Sequence, residues 1–383
     1  MREPTEKESC VLIRPSKHLS LRLEEGRYIA QNHLVGQERV LPISVITLLA
    51  SITDFISTDT MSEHLKKLFP QSLVTRDAVA ELTKSGILVK KQSELHVQEE
   101  RFNEWVWSRE AAKHFLATRR VRWMKESVEV EAFGKLLRTQ ELPSLWDDVT
   151  AENESWEALG VHIGARETFN LLKERRSLRQ FSNDPIASEA LGAILSAGLG
   201  IQKFLKLPLR PTYPLRFSPS PGGLNVFTGY IFVKNVSNLS PGIYRYNALR
   251  NQVLKIGELP DLPLSYLFGN QTWADEASAV CLLIANYKRM AWKYSDQSAF
   301  NSLLIESGHI AQNMMVCAAS LSVGSVPTNA VAQAELEQYL SLTFPHHAVL
   351  YALAFGHEDM TRSKDHYSSA SLLRLKEIVG GAT

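Results

Sequence analysis

Residues 290–330 read MAWKYSDQSAFNSLLIESGHIAQNMMVCAASLSVGSVPTNA, and the middle of this stretch decides the architecture. From Ser302 to Leu321, the apolar residues Leu303, Ile310, Met314, Cys317 and Leu321 recur at helical spacing, with Gly308, Ala311, Ala318 and Ala319 among them. The pattern predicts a long, buried helix. Glu306, His309 and Asn313 interrupt it as one polar stripe, with Gln312 beside them. Burying such groups costs free energy unless each finds a partner. Two readings follow: a satisfied polar stripe at a helix or subunit contact, or one wall of a cofactor site. Just upstream stands the pair Lys293-Tyr294.

The whole chain sets the frame. Its 383 residues suffice for two domains with a substantial core. Lys and Arg (42) balance Asp and Glu (41), so no global field directs it to nucleic acid or acidic lipid, and neither is expected as a partner. Cys10, Cys281 and Cys317 follow no ligand spacing, and the last two lie in apolar runs. They read as free thiols in a reducing compartment, with neither a disulfide framework nor a metal site. The opening MREPTEKES has no apolar signal core, and no run approaches the roughly 18 apolar residues of a membrane span. A cytoplasmic protein is expected.

In the N-terminal part, Cys10–Pro15 and Leu19–Leu34 read as strands, the second turning at Glu25-Gly26. Helical patterns follow at Ile43–Ile52, Met61–Phe69 and Asp77–Ser85, the last with Thr75 as its cap. Gly86–Val89 then forms a short strand backed by Lys90 and Lys91. Three small helices closed by a strand hairpin predict a winged-helix-like unit. A DNA reader needs a basic recognition helix, whereas DAVAELTKS is acidic to neutral, so docking of a peptide or protein, or a structural cap, is the preferred role. Glu99–Arg122 reads as one amphipathic helix whose Phe102, Trp105, Trp107 and Phe115 belong to a core. A helix over Glu126–Leu137 and the acidic, polar Pro143–Glu157 place the domain boundary between residues 155 and 156.

The C-terminal part opens with a helical pattern at Arg166–Glu174 that runs into RRSLRQF, residues 175–181. Arg175, Arg176 and Arg179 with Ser177 form an anion grip, because guanidinium presents a planar donor fork to an oxyanion. A solvated basic patch is the plainer alternative; Leu178 and Phe181 argue against it by pinning the segment to a core. Ser188 is expected to cap a helix over Glu189–Ala197. Leu207–Gly223 has too many prolines for a helix or a central strand. It ends in Pro221-Gly222-Gly223, where missing side chains let backbone N–H groups approach a flat ligand. Strands are predicted at Val226–Val233, Pro241–Tyr246, Val253–Gly257 and His347–Phe355, and a central strand, apolar throughout, at Ser278–Asn286. Gly324–Ala330 reads as a loop.

These pieces resemble, in this order, the FMN-dependent nitroreductase fold, and more narrowly the SagB-type azoline dehydrogenases. The resemblance rests on Arg175–Phe181, Pro221–Gly223, Lys293-Tyr294, Glu306–Asn313, Gly324–Pro327 and Ala354–His357, and covers about residues 165–360. Upstream, Ala111–Arg119 (AAKHFLATR) is similar to an Ala-rich helix preceding the catalytic domain in that family. The resemblance implies an α+β fold, a mostly antiparallel sheet flanked by helices, behind a winged-helix-like N-terminal domain. It implies two domains, 1–155 for docking and 156–383 for catalysis.

It further implies an FMN cofactor whose phosphate is held by Arg175, Ser177 and Arg179, with Arg176 nearby and Arg362 or Lys364 adding a contact. Gly222 and Gly223 would line the isoalloxazine ring, and Thr328, Asn329 and Ala330 would offer backbone donors to its edge. Lys293 is the implied base and Tyr294 its companion; a lysine base needs burial or cationic neighbours to lower its pKa, and Trp292 and Tyr294 are expected to supply dry surroundings. The implied reaction turns thiazolines or oxazolines into thiazoles or oxazoles in a ribosomally made peptide. The implied partners are that azoline-containing peptide, a cyclodehydratase, and a second copy of the chain in a homodimer. Two departures stand out: Pro221 replaces the usual Ser, and Ser295–Asn301 replaces an arginine-bearing segment with one extra residue. The alternatives are an NAD(P)H-dependent nitro- or ene-reductase of the same fold, and a flavin-free peptide-docking or regulatory protein. No Gly-x-Gly-x-x-Gly fingerprint accompanies the motifs.

Overall fold

The computed structural model describes residues 11–70, 75–119, 125–139, 166–206, 212–294, 298–343, 345–361, 373–374 and 376–378. Its contacts separate two compact units. The first is Met1–Val121 with Ser295–Gln297 and Thr343–His346; the second is the remainder from Arg122. The boundary expected at 155/156 lies outside the described residues.

The first unit contains β1 (Leu12–Pro15), β2 (Leu19–Glu24), β3 (Arg27–Asn32), β4 (Gln37–Val40), α1 (Ile43–Ser51), β5 (Ile56–Ser57), α2 (Thr58–Leu68), α3 (Thr75–Lys84), β6 (Leu88–Lys90), α4 (Glu94–Phe102) and α5 (Arg109–Arg119). Strands β2 and β3 form the expected hairpin, with Glu25 and Gly26 both at positive φ. Helix α3 starts at Thr75 itself, so that residue is the first of the helix rather than its cap. The three helices and β5 and β6 are present, but β6 has no hairpin partner downstream. It pairs with β1 from the start of the chain, giving the order β5-β1-β6. The chain after β6 turns at Gln92 (φ 64°) directly into α4, whose first turn Ser93 caps through the His96 amide.

The single helix expected over Glu99–Arg122 is two. The Trp105 ring stacks on both Phe102 and Phe115, each at 5.2 Å, and its Nε1 donates to the Ser108 carbonyl. These contacts draw the chain out of helix, and Ser108 Oγ then accepts from the Ala111 amide to start α5. Beneath them, the fully buried Glu99 accepts from Ser16 Oγ and the Lys17 amide, with Arg14 Nη2 at 2.7 Å.

The second unit contains α6 (Glu126–Thr139), α7 (Arg166–Glu174), α8 (Ser188–Leu199), β7 (Ile201–Leu205), β8 (Tyr213–Arg216), β9 (Phe227–Val233), β10 (Gly242–Asn247), β11 (Gln252–Gly257), α9 (Leu264–Leu267), α10 (Trp273–Glu276), β12 (Ala279–Asn286), α11 (Tyr287–Ala291), α12 (Ala299–Ser320), β13 (Gly324–Thr328), α13 (Gln333–Tyr339) and β14 (His347–Gly356). Six strands form one antiparallel sheet, β11-β10-β9-β12-β14-β13. Every residue of β12 except Asn286 is buried, as its unbroken apolar run predicted for a central strand. Gly324–Thr328, expected as a loop, is instead the edge strand. Ser188 opens α8 as its first residue, and Ala187 occupies the cap position without a side-chain bond.

Helix α12 packs on α8, where Ile310 and Met314 meet Gly198. It is not buried all round: Leu304, Ile305, His309 and Gln312 are exposed. The expected stripe therefore splits, Glu306 facing inward at 1% exposure and His309 outward. At 3.6 residues per turn Glu306 and His309 lie about 60° apart around the cylinder, enough for one to face the core and the other solvent. Among the described residues, no helix is long and apolar enough to cross a membrane.

Candidate functional site

Two clusters gather the expected residues, at opposite ends of the six-stranded sheet. The first is built on the start of β13. Ser177 bridges Ser325, and the Leu178 amide donates to the Ser325 carbonyl at 2.9 Å. Phe181 is buried in the core under the sheet and Leu178 packs against that core. Leu178 also fills the space where a side chain at Gly324 would sit. Pinned at these points, Arg175–Gln180 line a cavity of about 360 Å³ with Gly324, Ser325 and Glu358. Arg176 Nη1 donates to the Arg175 carbonyl. Neither Arg175 nor Arg179 is in an ion pair among the described residues. Gly324→Ala is expected to displace Leu178 and destabilise the unit by ~1–3 kcal/mol, the usual cost of overpacking. A lower Tm is the expected result, since Leu178 ties this segment to the core.

The second cluster arises where β9 begins and β12 ends, because Phe227 pairs with Ala285 in the antiparallel ladder. Pro221–Gly223 forms one turn of 3-10 helix before β9, with Gly222 and Gly223 at φ 62° and 69°. Beyond β12, Asn286 caps α11, and the amides of Lys293 and Tyr294 fold back onto the Met290 carbonyl. The Lys-Tyr pair thereby meets the glycine turn. A β-carbon at position 222 would stand 2.8 Å from Tyr294 Oη and 2.9 Å from Lys293 Nζ. Tyr213 closes the other side, 3.1 Å from where a β-carbon of Gly223 would be. Both glycines hold the left-handed backbone conformation that other residues rarely adopt. Lys293 is exposed and Trp292 is 71% exposed, so the dry surroundings expected from Trp292 are not formed within one chain.

Helix α12 holds this turn from below. Ser220 Oγ donates to Glu306 Oε2 at 3.0 Å and accepts from the Asn225 amide at 2.8 Å. One helix face further on, Asn313 Nδ2 donates to Ser218 Oγ, which itself donates to the Gly198 carbonyl. The inward members of the stripe are thus satisfied, and what they fix is the segment bearing the glycines. Burial pushes the Glu306 carboxyl from its ordinary 4.5 up to about 7, against the opposing pull of Ser220, Arg216, the Val226 amide and Arg289. Between those pH values the native state binds more protons than the unfolded chain, so stability falls as pH rises from about 4.5 to 7. The loss is at most ~3 kcal/mol. Glu306→Gln keeps an acceptor for Ser220 and is expected to abolish that part of the fall; Tm measured from pH 4.5 to 8 on both proteins checks it.

Register shows how far apart the clusters are. Ser325, Phe355, Ala279 and Val233 share one row of the sheet, whereas the glycine turn and Lys293 lie beyond the row of Ala285 and Phe227. The intervening length of β12 is roughly 20 Å at ~3.4 Å per residue, and three inter-strand spacings add ~14 Å sideways. Thr328 lies between the two, buried at the end of β13, its Oγ1 accepting from the Ala330 amide at 3.0 Å. That bond occupies one of the backbone donors expected to face a ligand; Asn329 is exposed. Arg362 and Lys364 lie outside the described residues. Residues not anticipated from sequence include Ser218, Ser220, Tyr213 and Arg216. The alternation of Ser and Pro over FSPSPGG was the one available signal for the two serines.

The nitroreductase family model matches residues 172–357, from the approach to the arginine cluster to the end of β14. A curated protein of Methanocaldococcus jannaschii provisionally named a nitroreductase is 29% identical over 180 residues, 45% of this chain and 83% of that protein. A solved structure from Anabaena variabilis, also provisionally named a nitroreductase, matches with 22% identity and a TM-score of 0.41, over 49% of this chain and 37% of that one. A chain of the E. coli microcin synthetase McbBCD complex, solved with truncated pro-MccB17 bound, matches with 14% identity and a TM-score of 0.46, over 68% of this chain and 97% of that one. The fold is nitroreductase-like, an antiparallel sheet flanked by helices, with a further sheet-containing region at the N-terminus.

Proposed function

We propose that this chain is an FMN-dependent dehydrogenase that aromatises thiazoline or oxazoline rings in a ribosomally made peptide. The observation that carries the reading is the meeting of Lys293 Nζ and Tyr294 Oη over a glycine held at positive φ. An amine and a phenol beside a bare backbone turn suit a flat ring system against which a proton is to be removed. The arginine cavity supports the cofactor half of the reading: among the described residues its guanidinium groups form no ion pair, and Leu178 and Phe181 anchor the segment that carries them to the core. Arg175, Ser177 and Arg179 would hold the phosphate, with Arg176 alongside, while Gly222 and Gly223 would line the ring and Asn329 present its edge. FMN supplies the hydride acceptor that side chains lack. Lys293 would take the ring proton and Tyr294 would orient the ring.

A single mononucleotide is too short to reach both clusters within one chain, so this reading requires two copies, each supplying one half of a site. The outward Leu304, Ile305, His309 and Gln312 of α12 are a fitting contact face for such a homodimer. The peptide must arrive already cyclised, which calls for a cyclodehydratase partner, and the N-terminal unit is the candidate docking module. A second reading, a nitro- or ene-reductase consuming NAD(P)H, is favoured by the name of the M. jannaschii relative. Oxygen uptake with an azoline peptide and loss of two hydrogens per ring by mass spectrometry are expected of the dehydrogenase. Nicotinamide consumption with a quinone or nitroarene, without peptide oxidation, would select the reductase. A colourless protein that does not take up flavin would leave only a docking role.

A further inference from the structure

A third basic site adjoins the glycine turn at the start of β9. Arg216 on β8, Arg245 on β10 and Arg289 on α11 line a cavity of about 410 Å³ with Leu199, Phe227 and Leu254. It opens where β9 loses a strand neighbour: the ladder to β10 ends at the pair Arg245–Tyr230, while the ladder to β12 continues to Phe227. Two of the arginines bind backbone carbonyls left at that edge. Arg216 Nη1 donates to Phe227 O at 3.1 Å, and Arg289 Nη1 donates to Asn225 O at 2.6 Å. Most of their donors are not consumed in this way. Arg216 Nε is buried without a hydrogen-bond partner, and none of the three forms an ion pair among the described residues.

The charge is unbalanced. Glu306 is the acid whose field acts on Arg216 and Arg289, and burial leaves that carboxyl with a pKa of about 7, only partly ionised near neutrality. Burial also draws Arg216 down to about 10, the mark of a guanidinium short of compensating charge. Three cations around a space of this size, one of them largely desolvated, are costly unless an anion joins them. The volume is that of a small-molecule site, and Thr228, Tyr246 and Asn247 add polar groups to its lining.

We propose that Arg216, Arg245 and Arg289 form an oxyanion-binding pocket that takes the carboxylate or phosphate of a small ligand. The pocket shares no lining residue with the Arg175–Arg179 cavity and needs no cofactor, so its occupancy can be read separately from phosphate binding there.

The test is calorimetric titration of the full chain with two probes, hexanoate and inorganic phosphate. Arg245 and Arg289 are exposed, so Arg245→Gln and Arg289→Gln remove charge without opening the core. Each is expected to weaken binding of the preferred probe about ten- to hundredfold, the worth of a charge-assisted hydrogen bond. Arg245→Lys should recover part of the loss, and Arg175→Gln should leave this component unchanged. Preference for hexanoate identifies a carboxylate ligand, preference for phosphate a phosphate ester. Failure of both probes to bind the unmodified chain would overturn the proposal, as would binding that ignores both glutamine substitutions.

Discussion

Replacing Arg175 and Arg179 together with alanine is expected to yield a folded but colourless protein. Each guanidinium faces the same cavity and lacks a described acidic partner, so its donors are available to a phosphate. A charge-assisted hydrogen bond is worth ~1.5–3 kcal/mol, hence about ten- to hundredfold in affinity for each arginine. Losing both is expected to weaken FMN binding by about two to four orders of magnitude. The fold should survive, because Leu178, Phe181 and the Ser177–Ser325 bridge attach this segment without help from the guanidinium groups. The measurement is flavin absorbance per polypeptide after gel filtration, with FMN titration by fluorescence quenching. Full retention of flavin by the double variant would remove the phosphate assignment, and with it the reason for placing a mononucleotide at this end of the sheet.

Lys293→Ala is expected to do the reverse: the protein stays yellow and ring oxidation stops. A positioned proton acceptor contributes about 10²–10⁴-fold, so peptide dehydrogenation should fall by that factor while flavin occupancy is unchanged. The separation of effects follows from register, since Lys293 lies beyond the end of β12 and Ser325 faces the row of its beginning. The exposure of Lys293 makes a further point. Its amine meets water in one chain, so the low polarity a lysine base requires has to come from the bound substrate or the second copy. Mass spectrometry of the peptide, run with Lys293→Ala and the unmodified protein side by side, reads the outcome. Undiminished conversion by the alanine variant would assign the base elsewhere.

Glu306 illustrates how much of the site could be read before the structure and how much could not. A carboxyl within an apolar helical pattern calls for a partner, and this follows from the cost of burying it. Which partner it finds depends on Ser220, 86 residues away in sequence. The same pattern placed His309 beside Glu306, yet only packing against α8 decides which side of the helix faces inward. The aromatic run after Glu99 went wrong for a related reason. Its periodicity suited one helix, but Trp105 gains more by stacking on Phe102 and Phe115 than a continuous helix would return.

By itself, the sequence determined the elements whose cause is local: the hairpin at Glu25-Gly26, the unbroken apolar strand at 279–286, the long helix at 299–320, and the attachment of the arginine-bearing segment to the core through Leu178 and Phe181. Period, turn chemistry and side-chain type act over a few residues and leave a readable trace. The tertiary structure alone decided the pairing of β6 with β1, the meeting of Lys293 and Tyr294 with Gly222, the split of the two clusters between opposite ends of one sheet, and the convergence of Arg216, Arg245 and Arg289. Each of these depends on strand order and register between distant segments, and such contacts are fixed by the burial of a shared core rather than by any neighbouring residues.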